Sequence, residues 1–116
     1  MTGHMFHSFE TYVIENRRNP RYQVDEVGSL CGVPVNVRNL SRTGAQLACS
    51  PENFARVGPE LSRSPVEVEL RLQALISLSA DVIYAIERDG QHLIGIHFSQ
   101  TSRSARAFLD DYIARL

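Results

Sequence analysis

Two runs of strict period-two alternation confine this chain to a β architecture. From Val66 to Leu72, Val66, Val68, Leu70 and Leu72 fall on one side, and Glu67, Glu69 and Arg71 on the other. Successive side chains of a strand point to opposite faces, so this pattern describes a strand with one dry face and one wet face. The period continues through Ile76, Leu78, Ala80, Val82, Tyr84 and Ile86, with Ser77, Ser79 and Asp81 opposite. A run of that length implies one strongly curved strand or a bulged one.

The neighbouring segments obey the same rule. Asp89-Gly90 suits a type I′ hairpin, returning through a strand in which Ile94, Ile96 and Phe98 share the inward face and His97 points out. Upstream, Val33, Val35 and Val37 alternate with Pro34, Asn36 and Arg38, and Ala45, Leu47 and Cys49 alternate with Gln46, Ala48 and Ser50. Tyr22, Val24 and Val27 belong to a first strand, with Gly28-Ser29 and Gly32 expected to supply a turn or bulge. Ser50-Pro51-Glu52 reads as the start of a short helix, with serine as cap and proline at the first helical position, and Gly58-Pro59 as its end. After Thr101 or Ser102, residues Ala105, Phe108, Leu109, Tyr112, Ile113 and Leu116 form one apolar stripe, predicting a terminal helix from about Ser102 to Arg115. Strands in succession before one closing helix exclude a doubly wound parallel sheet, which needs a helix at each crossover. The fold class is all-β.

Composition narrows the function. The 116 residues suit one domain with one core. A net charge of −1 provides no global positive field for duplex nucleic acid or for a membrane surface, so any anion site must be local. Every basic side chain among the 12 is arginine, which makes each arginine less informative unless spacing and context single it out. Cys31 and Cys49, in apolar contexts read as strand, make neither a disulfide framework nor a four-ligand metal site. His4 and His7 have helical metal-ligand spacing but no further ligand beside them. No stretch reaches the roughly 18 apolar residues of a membrane span. The chain reads as cytoplasmic, without membrane insertion, metal or cofactor. Residues 1–14 lack a sustained period and are assigned as a leader. A mobile segment, a short helix over residues 8–15 and an arm closing over a ligand all fit its sequence.

Two short segments stand apart from packing. Glu15-Asn16-Arg17-Arg18-Asn19-Pro20-Arg21 places three guanidinium groups within five residues at the mouth of a strand, and Asn39-Leu40-Ser41-Arg42-Thr43-Gly44 sets an amide, a hydroxyl and a glycine at a strand exit. Arginine offers a planar, permanently charged fork that matches phosphate oxygens or the O6/N7 edge of guanine. Asparagine and serine add donors and acceptors, and glycine permits close approach. The plain alternatives are a solvated arginine cluster neutralised by Glu15, Asp25 and Glu26, and an Asx or Ser turn at 39–44.

Arg17-xxx-Arg21, with Arg18 completing a double-arginine start, followed by Asn39-x-Ser41-x-x-Gly44, resembles the paired signatures of the PilZ domain family. The likeness runs over residues 15–116 and includes the Gly95-Ile96-His97-Phe98 strand. It implies a six-stranded antiparallel barrel with a C-terminal helix, expected to be partly open until that helix closes it. It also implies a single-domain bacterial receptor that binds the second messenger cyclic di-GMP and passes the signal to an effector protein. Arg17, Arg18, Arg21, Asn39, Ser41 and Gly44 are the ligand-binding candidates under that resemblance, and ligand is expected to order residues 10–21.

Two other function classes make different demands on the sequence. A nucleotide-independent protein–protein adaptor of the same fold needs neither signature intact. An enzyme needs a nucleophile beside a base, a carboxylate pair or a metal. Cys31 or Cys49 with His92 or His97 is the sole candidate pairing, and packing accounts for all four residues; Asp110 and Asp111 are consecutive on a helix and diverge. The expectation is no catalysis.

Overall fold

The computed structural model describes residues 20–116. Six strands, β1 (Tyr22–Leu30), β2 (Val33–Leu40), β3 (Gly44–Cys49), β4 (Val66–Arg71), β5 (Leu75–Arg88) and β6 (Gln91–Gln100), are all paired antiparallel in the order β1-β2-β3-β6-β5-β4. β1 also pairs with β4, from Val27↔Arg71 to Leu30↔Val68. The barrel is therefore closed by its own backbone, which corrects the expectation of a partly open one. The seam pairs the two strands that would otherwise be the outer edges of the sheet, over residues 27–30 of β1 and 68–71 of β4. Gly28 stands at that seam, where a Cβ would collide with the Glu69 carbonyl oxygen.

Val37, Leu47, Leu70, Ile94 and Ile96 face inward as the alternation gives, and Leu30 and Leu40 join them without being assigned by it. All are excluded from solvent. Cys31-Gly32 forms the β1–β2 turn with φ of 52° and 81°, and Asp89-Gly90 forms the β5–β6 turn with φ of 54° and 79°. Asp89-Gly90 is the hairpin predicted. The first turn differs, since β1 runs through Gly28-Ser29 and Cys31 lies in the turn instead of in a strand. Both positions of a type I′ turn require positive φ, a demand the β-rich context of Cys31 conceals.

Four irregularities interrupt the ladders, one of them between Ser79 and Ala80 in β5–β6, and the other three re-aim side chains. Register shifts in the β1–β2 ladder between Gln23 and Glu26, in β2–β3 between Val37 and Asn39, and in β5–β6 between Val82 and Tyr84. The last overturns one expectation. Val82 pairs with Ile96, whereas Tyr84 pairs with the outward Gly95 and Ala85 with the inward Ile94. The extra residue, Ile83, is 41% exposed, and beyond it Tyr84 and Ile86 join Ala48 and Leu93 in a separate apolar cluster.

The helices meet opposite ends of β2. α1 (Pro51–Val57) starts at Ser50, whose Oγ accepts from the Asn53 N–H at 3.1 Å, and a single 3₁₀ turn (Gly58–Glu60) follows. Asn53 donates to the Pro34 carbonyl at the start of β2, and Phe54 stacks on His92 at 3.9 Å. α2 (Arg103–Ala114) starts at Ser102, whose Oγ accepts from the Ala105 N–H at 3.1 Å. It buries Ala105, Leu109 and Tyr112 against the core, while Phe108 and Leu116, assigned to the same stripe from sequence, remain exposed.

Candidate functional site

The strand order returns the end of β2 to the start of β1. Gln23 pairs with Asn39, and Arg21, just before β1, donates from Nη1 to Asn39 Oδ1 at 2.8 Å. Two signature residues separated by 18 positions thus meet directly. The β2 bulge makes this possible. Strict alternation after Val33, Val35 and Val37 would turn Asn39 inward; with Arg38 as the extra residue, Asn39 instead stands opposite Gln46 on the outer wall, and Leu40 opposite Ala45 inside.

Ser41 plays a different part. It has no solvent exposure, and its Oγ accepts from the backbone N–H of Thr43 at 3.2 Å and of Gly44 at 3.1 Å. Its own N–H donates to the Gly44 carbonyl at 2.9 Å. These bonds build the turn into β3, so Ser41 supports the wall from behind, as the Ser-turn alternative anticipates. Gly44 begins β3 opposite His97 and is buried. Arg17 and Arg18, the other two guanidinium candidates, lie outside the described residues.

Helix α2 grips the same turn. Arg42 donates through Nε and Nη2 to the two carboxylate oxygens of Asp110 at 3.0 and 3.4 Å, and Arg106 donates to the Arg42 carbonyl at 2.7 Å and to Asp110 at 3.3 Å. Hydrogen bonding from Arg42, reinforced by Arg106, holds the Asp110 carboxyl below its ordinary range. Beside it, the Tyr112 hydroxyl donates to Glu26 at 2.6 Å; burial, with the Glu26 carboxylate adding to it, pushes the phenol up to about 12. No sequence pattern joins Arg42 to Arg106 or Asp110. Charge complementarity between a turn and a helix 68 residues apart leaves no local signal.

The profile of the PilZ domain matches residues 15–115. The chain belongs to the PilZ domain family. Domains of this family are in general cyclic di-GMP-binding adaptors and not enzymes. No curated protein matches this PilZ domain. Among solved structures, that of the Bacillus subtilis inhibitor of motility (MotI/DgrA) is similar, with a TM-score of 0.68 and 15% identity over 85% of this chain and 49% of that one. At that identity the likeness is one of fold, and this PilZ domain spans about half the length of that protein.

The enzymatic pairing gains nothing from the geometry. Burial raises the thiols of Cys31 and Cys49, which disfavours thiolate, and His92 is stacked on Phe54. Among the described residues no group of three or more His, Cys, Asp or Glu could hold a metal, and no helix is long and apolar enough to cross a membrane. A cleft of about 640 Å³ lies elsewhere, lined by Glu67, Glu69, Ser77, Ser79, Gln100 and Ser102. Its two carboxylates repel a nucleotide anion, and it contains none of the signature residues. The outer wall around Arg21 and Asn39 carries the guanidinium and the amide that this cleft lacks.

Proposed function

We propose that this domain is a cyclic di-GMP receptor that binds the dinucleotide without turnover and regulates a partner protein in the cytoplasm. The observation that carries the reading is the 2.8 Å hydrogen bond from Arg21 to Asn39, which joins the two signatures on one wall of the barrel. In this reading residues 15–116 form the receptor and 1–14 a leader. Arg17, Arg18 and Arg21 supply guanidinium groups for phosphate and guanine; Asn39 contributes a base contact, Ser41 holds the turn, and Gly44 keeps the approach open. Ligand bridging the arginine segment and the wall orders residues 10–21, and the altered surface is what the effector senses.

Isothermal titration against cyclic di-GMP, cyclic di-AMP and GTP tests the binding, with hydrogen exchange over residues 10–21 as the second readout. The expected outcome is saturable low-micromolar binding of cyclic di-GMP with the guanine dinucleotide preferred, no linear product, and increased protection of that segment. Arg21→Ala is expected to cost about 2–4 kcal/mol of binding, since it removes a charged partner from a shielded contact. Absence of saturable binding by the wild-type protein would transfer the assignment to a nucleotide-independent adaptor.

A further inference from the structure

The bonded pair Arg21–Asn39 has a neighbour that neither signature contains. Gln46 is the cross-strand partner of Asn39 on β3, and the same residue faces Gly95 on β6. Side chains directly opposite in an antiparallel pair lie about 5 Å apart, so the carboxamides of Asn39 and Gln46 form one patch on the outer wall. Gln46 is half-buried, and its Nε2 donates to the Tyr84 hydroxyl at 2.8 Å. Tyr84 reaches this place only because the β5 bulge turns it outward, and its ring lies flat over Gly95, where any Cβ would overlap it.

We propose that Gln46 is a specificity-determining residue for guanine, with Tyr84 as the positioning residue that sets its amide. The inference rests on the cyclic di-GMP reading above. With Nε2 committed to the phenol, Gln46 Oε1 is the atom left to accept a hydrogen bond on the wall. Guanine carries two donors along its Watson–Crick edge, N1–H and the N2 amino group, and the corresponding edge of adenine has an acceptor at N1 and a carbon-bound hydrogen at C2. An acceptor beside Asn39 that meets the N1 and N2 side of this edge therefore favours guanine and is left unsatisfied by adenine, whose amino donor at N6 lies at the position of guanine O6; discrimination by a buried polar group arises in this way. Asn39 Oδ1 already spends one of its two lone pairs on Arg21, which ties its orientation to the arginine.

Titration of cyclic di-GMP and cyclic di-AMP into wild type, Asn39→Ala, Gln46→Met, Gln46→Glu and Tyr84→Phe tests this. Gln46→Met keeps the side-chain length and removes the acceptor; it is expected to weaken cyclic di-GMP roughly three- to tenfold while leaving cyclic di-AMP nearly unchanged, so the guanine preference falls. Gln46→Glu keeps an acceptor, and its charge weakens both dinucleotides while the preference is retained. Tyr84→Phe preserves the ring over Gly95 and removes the hydroxyl; the preference falls with an unchanged thermal midpoint, which a purely structural role would not produce. Binding by wild type that is lost in Asn39→Ala, but keeps its full guanine preference in Gln46→Met and Tyr84→Phe, overturns this inference and leaves the receptor assignment standing. Failure of wild type to bind either dinucleotide overturns both.

Discussion

At the scale of single residues, burial separates signature positions that look alike in sequence. Asn39 stands on the outer wall and holds Arg21, whereas Ser41, two residues on, is sealed inside and answers two backbone donors. Ser41→Ala would take the side-chain acceptor from the buried Gly44 N–H, and the expected cost is about 1–3 kcal/mol of folding stability, read from urea denaturation. Any loss of ligand affinity in that variant should follow from a loosened turn, and stabilising additives that restore the fold should restore the affinity. Side-chain chemistry identifies Asn39, Ser41 and Gly44 as a polar exit from a strand, so that part of the site is legible. The division of labour between them is not, because it depends on which side of the wall each residue meets. Gln46 and Tyr84 carry no signal at all in sequence; one occupies a polar slot in an alternating strand and the other an apolar one.

At the scale of elements, alternation predicts the strands well and fails at the bulges. Nothing in Val82-Ile83-Tyr84 marks the extra residue, since all three are good strand formers, yet the bulge moves Tyr84 and Ile86 to the other face. The same device at Arg38 exposes Asn39. Both bulges aim side chains into the candidate site, in keeping with the use of bulges to redirect a side chain next to function. The terminal helix was legible from its stripe and serine cap, but its grip on the signature turn was not. Arg42 and Asp110 remain 57% and 38% exposed, so this pair adds little to global stability. Asp110→Asn is accordingly expected to shift the unfolding free energy by no more than about 1 kcal/mol. Its local effect should be larger: faster hydrogen exchange at the amides of Thr43 and Gly44, measured under conditions where the barrel core stays protected. Equal exchange in variant and wild type would mean that Ser41 alone holds the turn.

At the scale of the whole molecule, closure of the barrel and docking of its last helix converge on β1. The strand meets β4 along a seam that admits only glycine at position 28, and it offers Glu26 to Tyr112 on α2. The first register shift makes this possible: after it, Glu26 pairs with the inward Val37, which brings a carboxylate toward the buried face of the helix. The phenol that binds it must stay protonated to donate. Its folded-state value of about 12 lies above the ordinary tyrosine value of about 10. A raised folded-state value means that the stabilisation is fully present below pH 10 and is lost as pH rises through about 12, because the unfolded chain releases the proton first. Tyr112→Phe removes the donor and strands a partly buried carboxylate, at an expected cost of about 1.5–3 kcal/mol near neutral pH. Urea midpoints at pH 7, 10 and 12 for the two proteins separate the contributions. Wild type should lose its advantage over Tyr112→Phe between pH 10 and 12, and a constant gap across that window would show that the helix is held by packing of Ala105 and Leu109 without the Glu26 bond.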